Sequence, residues 1–351
     1  MKSFIKILTS IIFTTIFLIS CSNEKLINEG SADKDFLATT YDGNAHIARF
    51  KFPSGVKVSD DLYQQANQSY ISKNEIKNLR TFLKYIFICI PDDYKVVVLD
   101  KNTFQQVAVI DFTENQLKPT DITFANATEG YLIFKDAPKV ALLDIYYFKF
   151  VKFIDLNDNA SSISAIGNQI YVTIPKLNKV SVIDSRFHST VAEIDVANVP
   201  YMVTPTNDGT KFVVISAGSG KIEGDASETL TKPSISIIDV ATRQVIKYEE
   251  INPPKADLTS QLVHSFVVTN NDWVFLLTQD YLIKIDLLNP DFSLMVENKQ
   301  YKLLYENSVY NQVFVSLVNE TQSIIYQLDP ITGKKKTSAT INQQIGAFSI
   351  Y

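Results

Sequence analysis

The residues best suited to metal binding or nucleophilic catalysis are three histidines and two cysteines, scattered along a chain of 351 residues. Cys89 lies in the apolar run 85–90, which predicts a packed core thiol. His188 falls in a short turn. His264 begins a strand after a long loop and is the histidine best placed to bind a ligand, and Tyr201 has the comparable position in another repeat. No motif joins these residues, so we predict no catalytic residue, no metal site and no cofactor.

A polar, glycine-rich segment at 218–232 is the second candidate for binding. It lacks the Gly-Lys-Ser/Thr ending of a phosphate loop, and its acids do not have the spacing of a calcium loop. We predict a solvated lid beside Tyr201 and His264. The predicted binding face consists of Tyr201, Lys221, Glu223, Asp225 and His264.

An aspartate recurs at the end of a strand in six similar units along the chain. These residues are Asp100, Asp144, Asp184, Asp239, Asp286 and Asp329. Each precedes a short polar turn, where an Asx side chain can accept hydrogen bonds from nearby backbone N–H groups. We therefore predict a structural role in turns for all six.

The N-terminus has the character of an export signal. Lys2 and Lys6 precede or border an apolar stretch at 7–17, which is too short to span a bilayer comfortably. The following Leu18-Ile19-Ser20-Cys21 resembles a bacterial lipobox. The resemblance implies cleavage before Cys21 and acylation of that residue, which would hold the protein on a membrane.

The predicted domain organisation has three parts: a lipoprotein signal peptide at 1–20, a flexible tether at 21–34, and a single domain at 35–351. The net charge is −5, and it becomes −7 when the two lysines of the signal are removed. Such a chain has no broad electrostatic reason to bind nucleic acid. Ser22 is not the Asp that retains lipoproteins at the inner membrane of enteric bacteria. The expected location is therefore the cell envelope, with the outer membrane favoured, on either its periplasmic or its exposed side.

A unit of strand, short turn and strand recurs along the chain. Its clearest copy joins Lys179–Asp184 to Val191–Asp195, and the aspartates of successive units are 40 to 55 residues apart. A four-stranded propeller blade takes roughly 40–45 residues. A weaker copy at 46–58 has Phe50 in place of Asp. The sequence therefore predicts an all-β fold, a β-propeller of seven blades.

The two ends of the predicted domain complement each other. The first unit begins at Phe36–Thr40 and lacks its innermost strand, whereas Ile345–Tyr351 is one strand too many at the end of the chain. We predict that the last strand completes the first blade. Such closure removes the exposed sheet edges that promote aggregation.

One part of the chain resembles a known repeat. Tyr171–Ile174 followed by Val180–Asp184 is similar to the YVTN-type propeller repeat of bacterial proteins, with Ile in place of the Asn. Asn198–Val203 and the turn at Asp208–Gly209 match the first strand and hairpin of that repeat. The resemblance implies seven blades and an extracytoplasmic location, and it implies no catalytic residues.

Three long connections, 59–72, 217–233 and 252–261, are predicted to share one face of the propeller. Long loops on a rigid scaffold commonly carry function, so we expect that face to bind a protein or ligand without catalysis. One alternative is a surface receptor or adhesin for a small ligand such as a metal complex or glycan. Another is a propeller enzyme of the lactonase or quinoprotein dehydrogenase type, for which the sequence offers few convergent acids, bases or metal ligands.

Overall fold

Seven antiparallel sheets of four strands make up the described part of the computed structural model. The innermost strands of successive sheets contact one another, so the sheets stand as blades around an axis. The predicted seven-bladed β-propeller is confirmed. The structure describes residues 34–218, 232–251, 263–269, 273–278, 281–287, 292–297, 301–307 and 312–350.

Each blade has four strands, a, b, c and d, that follow one another from the axis to the rim. From a to d, blades 1 and 2 are β28 (Phe348–Ile350), β1 (Lys34–Tyr41), β2 (Ala45–Phe52), β3 (Lys57–Ser59), and β4 (Asn78–Phe82), β5 (Tyr85–Ile90), β6 (Lys95–Asp100), β7 (Gln106–Asp111). Blades 3 and 4 are β8 (Lys118–Asn126), β9 (Glu129–Lys135), β10 (Ala137–Asp144), β11 (Lys149–Asp155), and β12 (Ser162–Ile166), β13 (Gln169–Ile174), β14 (Lys179–Asp184), β15 (Ser189–Asp195).

The remaining blades follow the same pattern. Blade 5 is β16 (Pro200–Pro205), β17 (Lys211–Ser216), β18 (Ser234–Asp239), β19 (Gln244–Glu250). Blades 6 and 7 are β20 (Val263–Val268), β21 (Trp273–Thr278), β22 (Tyr281–Asp286), β23 (Phe292–Glu297), and β24 (Tyr301–Asn307), β25 (Gln312–Val318), β26 (Ser323–Leu328), β27 (Lys335–Ile341). The helices described are α1 (Leu62–Asn67) and two 3₁₀ turns, Pro91–Asp93 and Pro175–Leu177. None of the described helices has the length and apolar character needed to cross a membrane.

The ring is closed by the last strand, as predicted. β28 pairs antiparallel with β1, and Phe36 lies opposite Ile350 while Ala38 lies opposite Phe348. Just before the strand, Gly346 N donates to Thr39 O at 2.8 Å. Blade 1 is therefore completed by the two ends of the domain, and the inner edge of β1 is paired.

The hydrophobic core consists of seven clusters, one at each interface between successive blades. Strand β5 shows how the sequence supplies them, since side chains alternate between the two faces of a strand. Ile86, Ile88 and Ile90 pack toward blade 1, whereas Phe87 and Cys89 pack toward blade 3. Burial raises the pKa of the Cys89 thiol well above its usual value, which confirms it as an inert core residue.

The repeated aspartates do hold turns. In five of the six units the carboxylate accepts from backbone N–H groups two or three residues later; Asp239 Oδ1, for example, lies 2.7 Å from Thr242 N. These hydrogen bonds lower the pKa of the Asp329 carboxyl to about 2. The turn after Asp286 lies outside the described residues. The predicted structural role is thus confirmed where the turn is described.

Candidate functional site

The alternating strands give the propeller two faces of different construction. The short-turn face carries the described a–b turns 83–84, 127–128, 167–168 and 206–210 and the c–d turns 53–56, 101–105, 145–148, 185–188, 240–243 and 329–334. The long-loop face carries the b–c and d–a connections. The three predicted long connections are of these kinds, because 59–72 lies between β3 and β4, 217–233 joins β17 to β18 and 251–262 joins β19 to β20.

Four blades carry an extra residue near the long-loop end of their innermost strand. At each position the pairing with strand b skips one residue, which defines a β-bulge. The skipped residues are Thr120, Tyr201, His264 and Lys302. A bulge breaks the ladder locally and re-aims a side chain, and bulges are frequent next to active sites. Because the innermost strands line the axis, these four residues lie around one mouth of the central channel.

Two of the predicted binding residues occupy equivalent positions in neighbouring blades. Tyr201 and His264 occupy the same bulge position in blades 5 and 6, whose innermost strands contact each other. The Tyr201 ring is exposed, and its backbone oxygen accepts a hydrogen bond of 2.9 Å from Ser161 Oγ. The structure does not describe the side chain of His264. Lys221, Glu223, Asp225 and the lipidation residue Cys21 lie outside the described residues and stay predictions.

The bulge positions of blades 3 and 7 were not predicted from the sequence. Thr120 is half-buried, and its Oγ1 donates to Ile133 O at 3.3 Å. Lys302 follows the first residue of β24. A bulge adds one residue to a strand without changing its apolar alternation elsewhere, so the sequence carried little signal for either residue.

A second polar site on the long-loop face is built around His46, which no sequence motif had indicated. His46 Nδ1 lies 2.9 Å from Asp61 Oδ2, and His46 Nε2 lies 2.8 Å from Asp42 Oδ1. Asp61 is buried, and its other oxygen accepts from Tyr63 N at 3.0 Å and Gln64 N at 3.1 Å, capping helix α1. One imidazole therefore links a b–c connection to the helix that follows blade 1.

The electrostatics of this site favour the imidazolium form. Burial by itself would lower the pKa of His46, but the hydrogen bonds to Asp42 and Asp61 outweigh it and raise the pKa above its usual value. The hydrogen bond from His46 in turn lowers the pKa of the Asp42 carboxyl. A carboxylate only accepts hydrogen bonds, so both ring nitrogens act as donors. Because both ring nitrogens are engaged, His46 acts as a clamp between the two carboxylates and has no nitrogen free to act as a general base.

An open pocket of about 290 Å³ lies beside His46, where blade 1 meets the end of blade 7. Lys57 Nζ donates there to Asp60 Oδ1 at 2.5 Å and to Gln343 Oε1 at 3.0 Å. The lining residues are Thr40, Tyr41, Asp42, His46, Lys57, Asp60, Gln343 and Gln344. In the described ranges, no group of three or more His, Cys, Asp or Glu is placed to hold a metal ion.

The segment 59–72 lies in the d–a connection between β3 and β4, as predicted, but it is folded and not an open loop. It contains helix α1, whose Leu62 and Tyr63 are buried against the interface of blades 1 and 2. Asn67 Nδ2 donates to Phe104 O at 2.9 Å, and Phe104 belongs to a c–d turn on the short-turn face. Buried apolar residues in this short segment cover a blade interface instead of projecting into solvent. Of the segment, Asp60 and Asp61 contribute to the polar site around His46.

His188 lies in a short turn, as predicted, and this c–d turn belongs to the short-turn face. Its Nδ1 is 3.0 Å from Tyr131 Oη, and its Nε2 is 3.5 Å from Glu129 Oε1. Both partners stand in β9 of the preceding blade. The contact joins the c–d turn of blade 4 to blade 3, which is a structural role.

Comparison with known proteins identifies the fold alone. No family model and no curated protein matches the chain. Among solved structures, a protein of unknown function from Desulfotomaculum acetoxidans is similar with a TM-score of 0.65 at 13% identity, covering 90% of this chain and 98% of that one. The periplasmic gluconolactonase of Pseudomonas aeruginosa is similar with a TM-score of 0.63 at 12% identity, over the same shares of 90% and 98%. Hydrazine synthase of Kuenenia stuttgartiensis is similar with a TM-score of 0.58 at 16% identity, covering 71% of this chain and 75% of that one.

Proposed function

We propose that this chain is an extracytoplasmic β-propeller, held at an envelope membrane by lipid on Cys21, that binds a protein partner without catalysis through its long-loop face. The observation that carries the proposal is the set of four bulges around one mouth of the channel. They stand on the face that also receives the long connections 217–233 and 251–262. Irregular strand ends and long loops on a rigid ring are typical of a recognition surface.

The chemistry of the described residues supports binding over catalysis. His46 has both nitrogens engaged with carboxylates, His188 bonds to Tyr131, and Cys89 is buried in the core. A hydrolytic site needs a nucleophile or an activated water next to a free base. His188 does contact the Tyr131 hydroxyl, but burial raises the pKa of that phenol, which makes it a poor nucleophile.

Site-specific crosslinking tests the binding face directly. A photoreactive phenylalanine analogue at Tyr201 is compared with the same analogue at Tyr248, an exposed tyrosine on the outermost strand of blade 5. We expect irradiation of intact cells to give a discrete protein adduct from position 201 and none from position 248. The adduct should disappear when 218–232 is replaced by a short turn. Equal adducts from the two positions, or none from position 201, would remove the support for this face.

The membrane anchor needs its own experiment. Cells grown with an alkyne-labelled fatty acid should incorporate the label into the wild-type chain and not into Cys21→Ala. The variant should also leave the membrane fraction. Label that persists in Cys21→Ala would overturn acylation at this residue.

A small ligand at the same mouth is the second candidate. Ligand binding is favoured by the residue types at the four bulges, which are a threonine, a tyrosine, a histidine and a lysine. A ligand that binds the folded state raises the unfolding temperature by mass action. A shift with a glycan, metal complex or lactone, abolished by Tyr201→Ala, would replace the protein partner by that ligand. Turnover of a lactone would replace it by an enzyme.

A further inference from the structure

The most exposed large apolar side chains of the described residues share one face of the propeller. Six of them are between 57% and 73% exposed, and all six lie in a–b or c–d turns. The large apolar residues of the outer strands and of the long-loop face reach 53% at most. The six are Val56, Leu83, Tyr146, Tyr147, Phe187 and Ile331, from blades 1, 2, 3, 4 and 7.

The exposed turns of blades 2, 3 and 4 are held next to one another. Tyr85 beside the first turn contacts Phe148 of the next, with ring centroids 4.8 Å apart. The turn of blade 4 is fixed to blade 3 through His188 and Tyr131. These contacts hold the exposed turns of three successive blades in fixed positions along one side of the short-turn face.

Basic side chains accompany these tips. Lys84, Lys149 and Lys334 are exposed in the same turns or directly beside them, whereas Arg186 of the blade 4 turn pairs with Asp184, Nη2 to Oδ2 at 2.6 Å. The turn aspartates also accept hydrogen bonds from backbone N–H groups. Tyrosine rings with lysine and arginine are the side chains typical of the bilayer interface, where the ring meets the headgroups and the cation meets lipid phosphates.

The chain enters the propeller on this same face. Lys34 is the first residue of β1 and pairs with Phe52, directly before the c–d turn of blade 1. Twelve residues separate Lys34 from the predicted lipidated Cys21. Fully extended, that stretch spans at most about 45 Å. The segment that leads from Cys21 therefore joins the domain on the face that carries the exposed tips.

We infer that the short-turn face docks on the bilayer that carries the lipid anchor, with Tyr146, Tyr147 and Phe187 in the headgroup region. The inference rests on the proposed membrane anchor for its orientation. A bilayer suits this face because the tips come from five blades around the ring and end in turns at one edge of their sheets, so one flat surface can meet them together. Docking directs the bulged channel mouth away from the membrane, toward a partner.

Vesicle binding tests the face without the anchor. The chain of residues 22–351 lacks Cys21, and all seven core clusters lie within it. We expect it to sediment with vesicles of phosphatidylethanolamine and phosphatidylglycerol. The triple variant Tyr146→Ser, Tyr147→Ser, Phe187→Ser should have a partition coefficient lower by roughly tenfold or more, since interfacial binding scales with buried apolar area. The matched control is Ile246→Ser with Tyr248→Ser, which removes exposed apolar side chains from the rim.

The depth of a single tryptophan gives a second readout. Trp273 is the only tryptophan of the chain, so Trp273→Phe provides a silent background. We expect brominated lipids to quench the variant Tyr147→Trp and not Tyr248→Trp. Absence of vesicle binding by residues 22–351 would overturn the docking, and so would a rim control whose partition coefficient falls as much as that of the triple variant. Neither outcome bears on the acylation of Cys21, which the fatty-acid labelling tests. Self-association that the triple variant abolishes would also overturn it, because the face would then meet a second copy.

Discussion

His46 and Asp61 form a hydrogen-bonded pair, Nδ1 to Oδ2 at 2.9 Å, that ties strand β2 to the N-terminus of helix α1. Asp61 is buried and Asp42 on the other side of the imidazole is exposed, so the imidazolium lies between an interior and a surface carboxylate. The pair fixes the helix that covers the interface of blades 1 and 2, and it makes that cover dependent on pH.

The pH dependence has a definite sign. The folded pKa of His46 is raised above its usual value, so the clamp contributes stability that is fully present below about pH 6.5 and is lost as the pH rises through the folded pKa. Urea unfolding of wild type and His46→Gln should therefore differ most near about pH 5.5 and least near about pH 9. The lowered pKa of Asp42 has the opposite pH dependence, because its contribution to stability is lost only when strong acid protonates the carboxylate. A difference in the free energy of unfolding between wild type and His46→Gln that is the same at both pH values would contradict the clamp.

Asp61 has two roles that substitutions can separate. Asp61→Ala removes the cap of α1 and the partner of His46, and loss of such a cap costs about 0.5–2 kcal/mol by itself. Asp61→Ser keeps a good capping residue and removes the charge. We expect urea unfolding of Asp61→Ser to retain part of the stability and to show a weaker pH dependence, because Asp42 still raises the pKa of His46. Equal destabilisation by the two variants would show that the cap contributes nothing.

Gly55 lies where blade 1 closes on blade 7. Its φ is +71°, and a Cβ there would collide with the backbone carbonyl of Thr340 in β27. Gly43 has a φ of +106° and open space around it. Both residues have a positive φ that strains an alanine, so the difference between the variants reports mainly the collision. We expect Gly55→Ala to lower the free energy of unfolding by about 1–3 kcal/mol more than Gly43→Ala, measured in urea.

Deletion of residues 345–351 should open the ring. It removes β28, exposes the inner edge of β1 and takes Ile345 from the core between blades 1 and 7. We expect a lower unfolding temperature and concentration-dependent aggregation, because an unpaired strand edge recruits other chains. The control is deletion of 22–33, which should leave the unfolding temperature unchanged. A truncated chain that stays monomeric and equally stable would show that closure through β28 is dispensable.

The blade count, the ring closure, the core thiol and the aspartate turns were all predictable from the sequence. The thiol and the turns depend on patterns local to a strand or its turn, whereas the blade count and the closure depend on the repetition of those patterns along the chain. Apolar alternation in β5 indicates two buried faces, and an aspartate at the end of β14 indicates the turn that follows it. The surplus strand at Phe348–Ile350 could be assigned because a ring of four-stranded sheets leaves one place for it.

The positions of functional interest were decided by the tertiary structure. His46 and Asp61 are 15 residues apart and meet because strand β3 is short and the chain turns into α1. The skipped residues of the inner strands depend on pairing register, which the alternation of apolar residues does not encode at a strand end. Likewise, a tyrosine in a turn such as Tyr146 looks like an isolated surface residue until the ring sets it beside the tips of other blades. Local burial patterns determine the strands, whereas proximity between blade ends arises only when the ring closes.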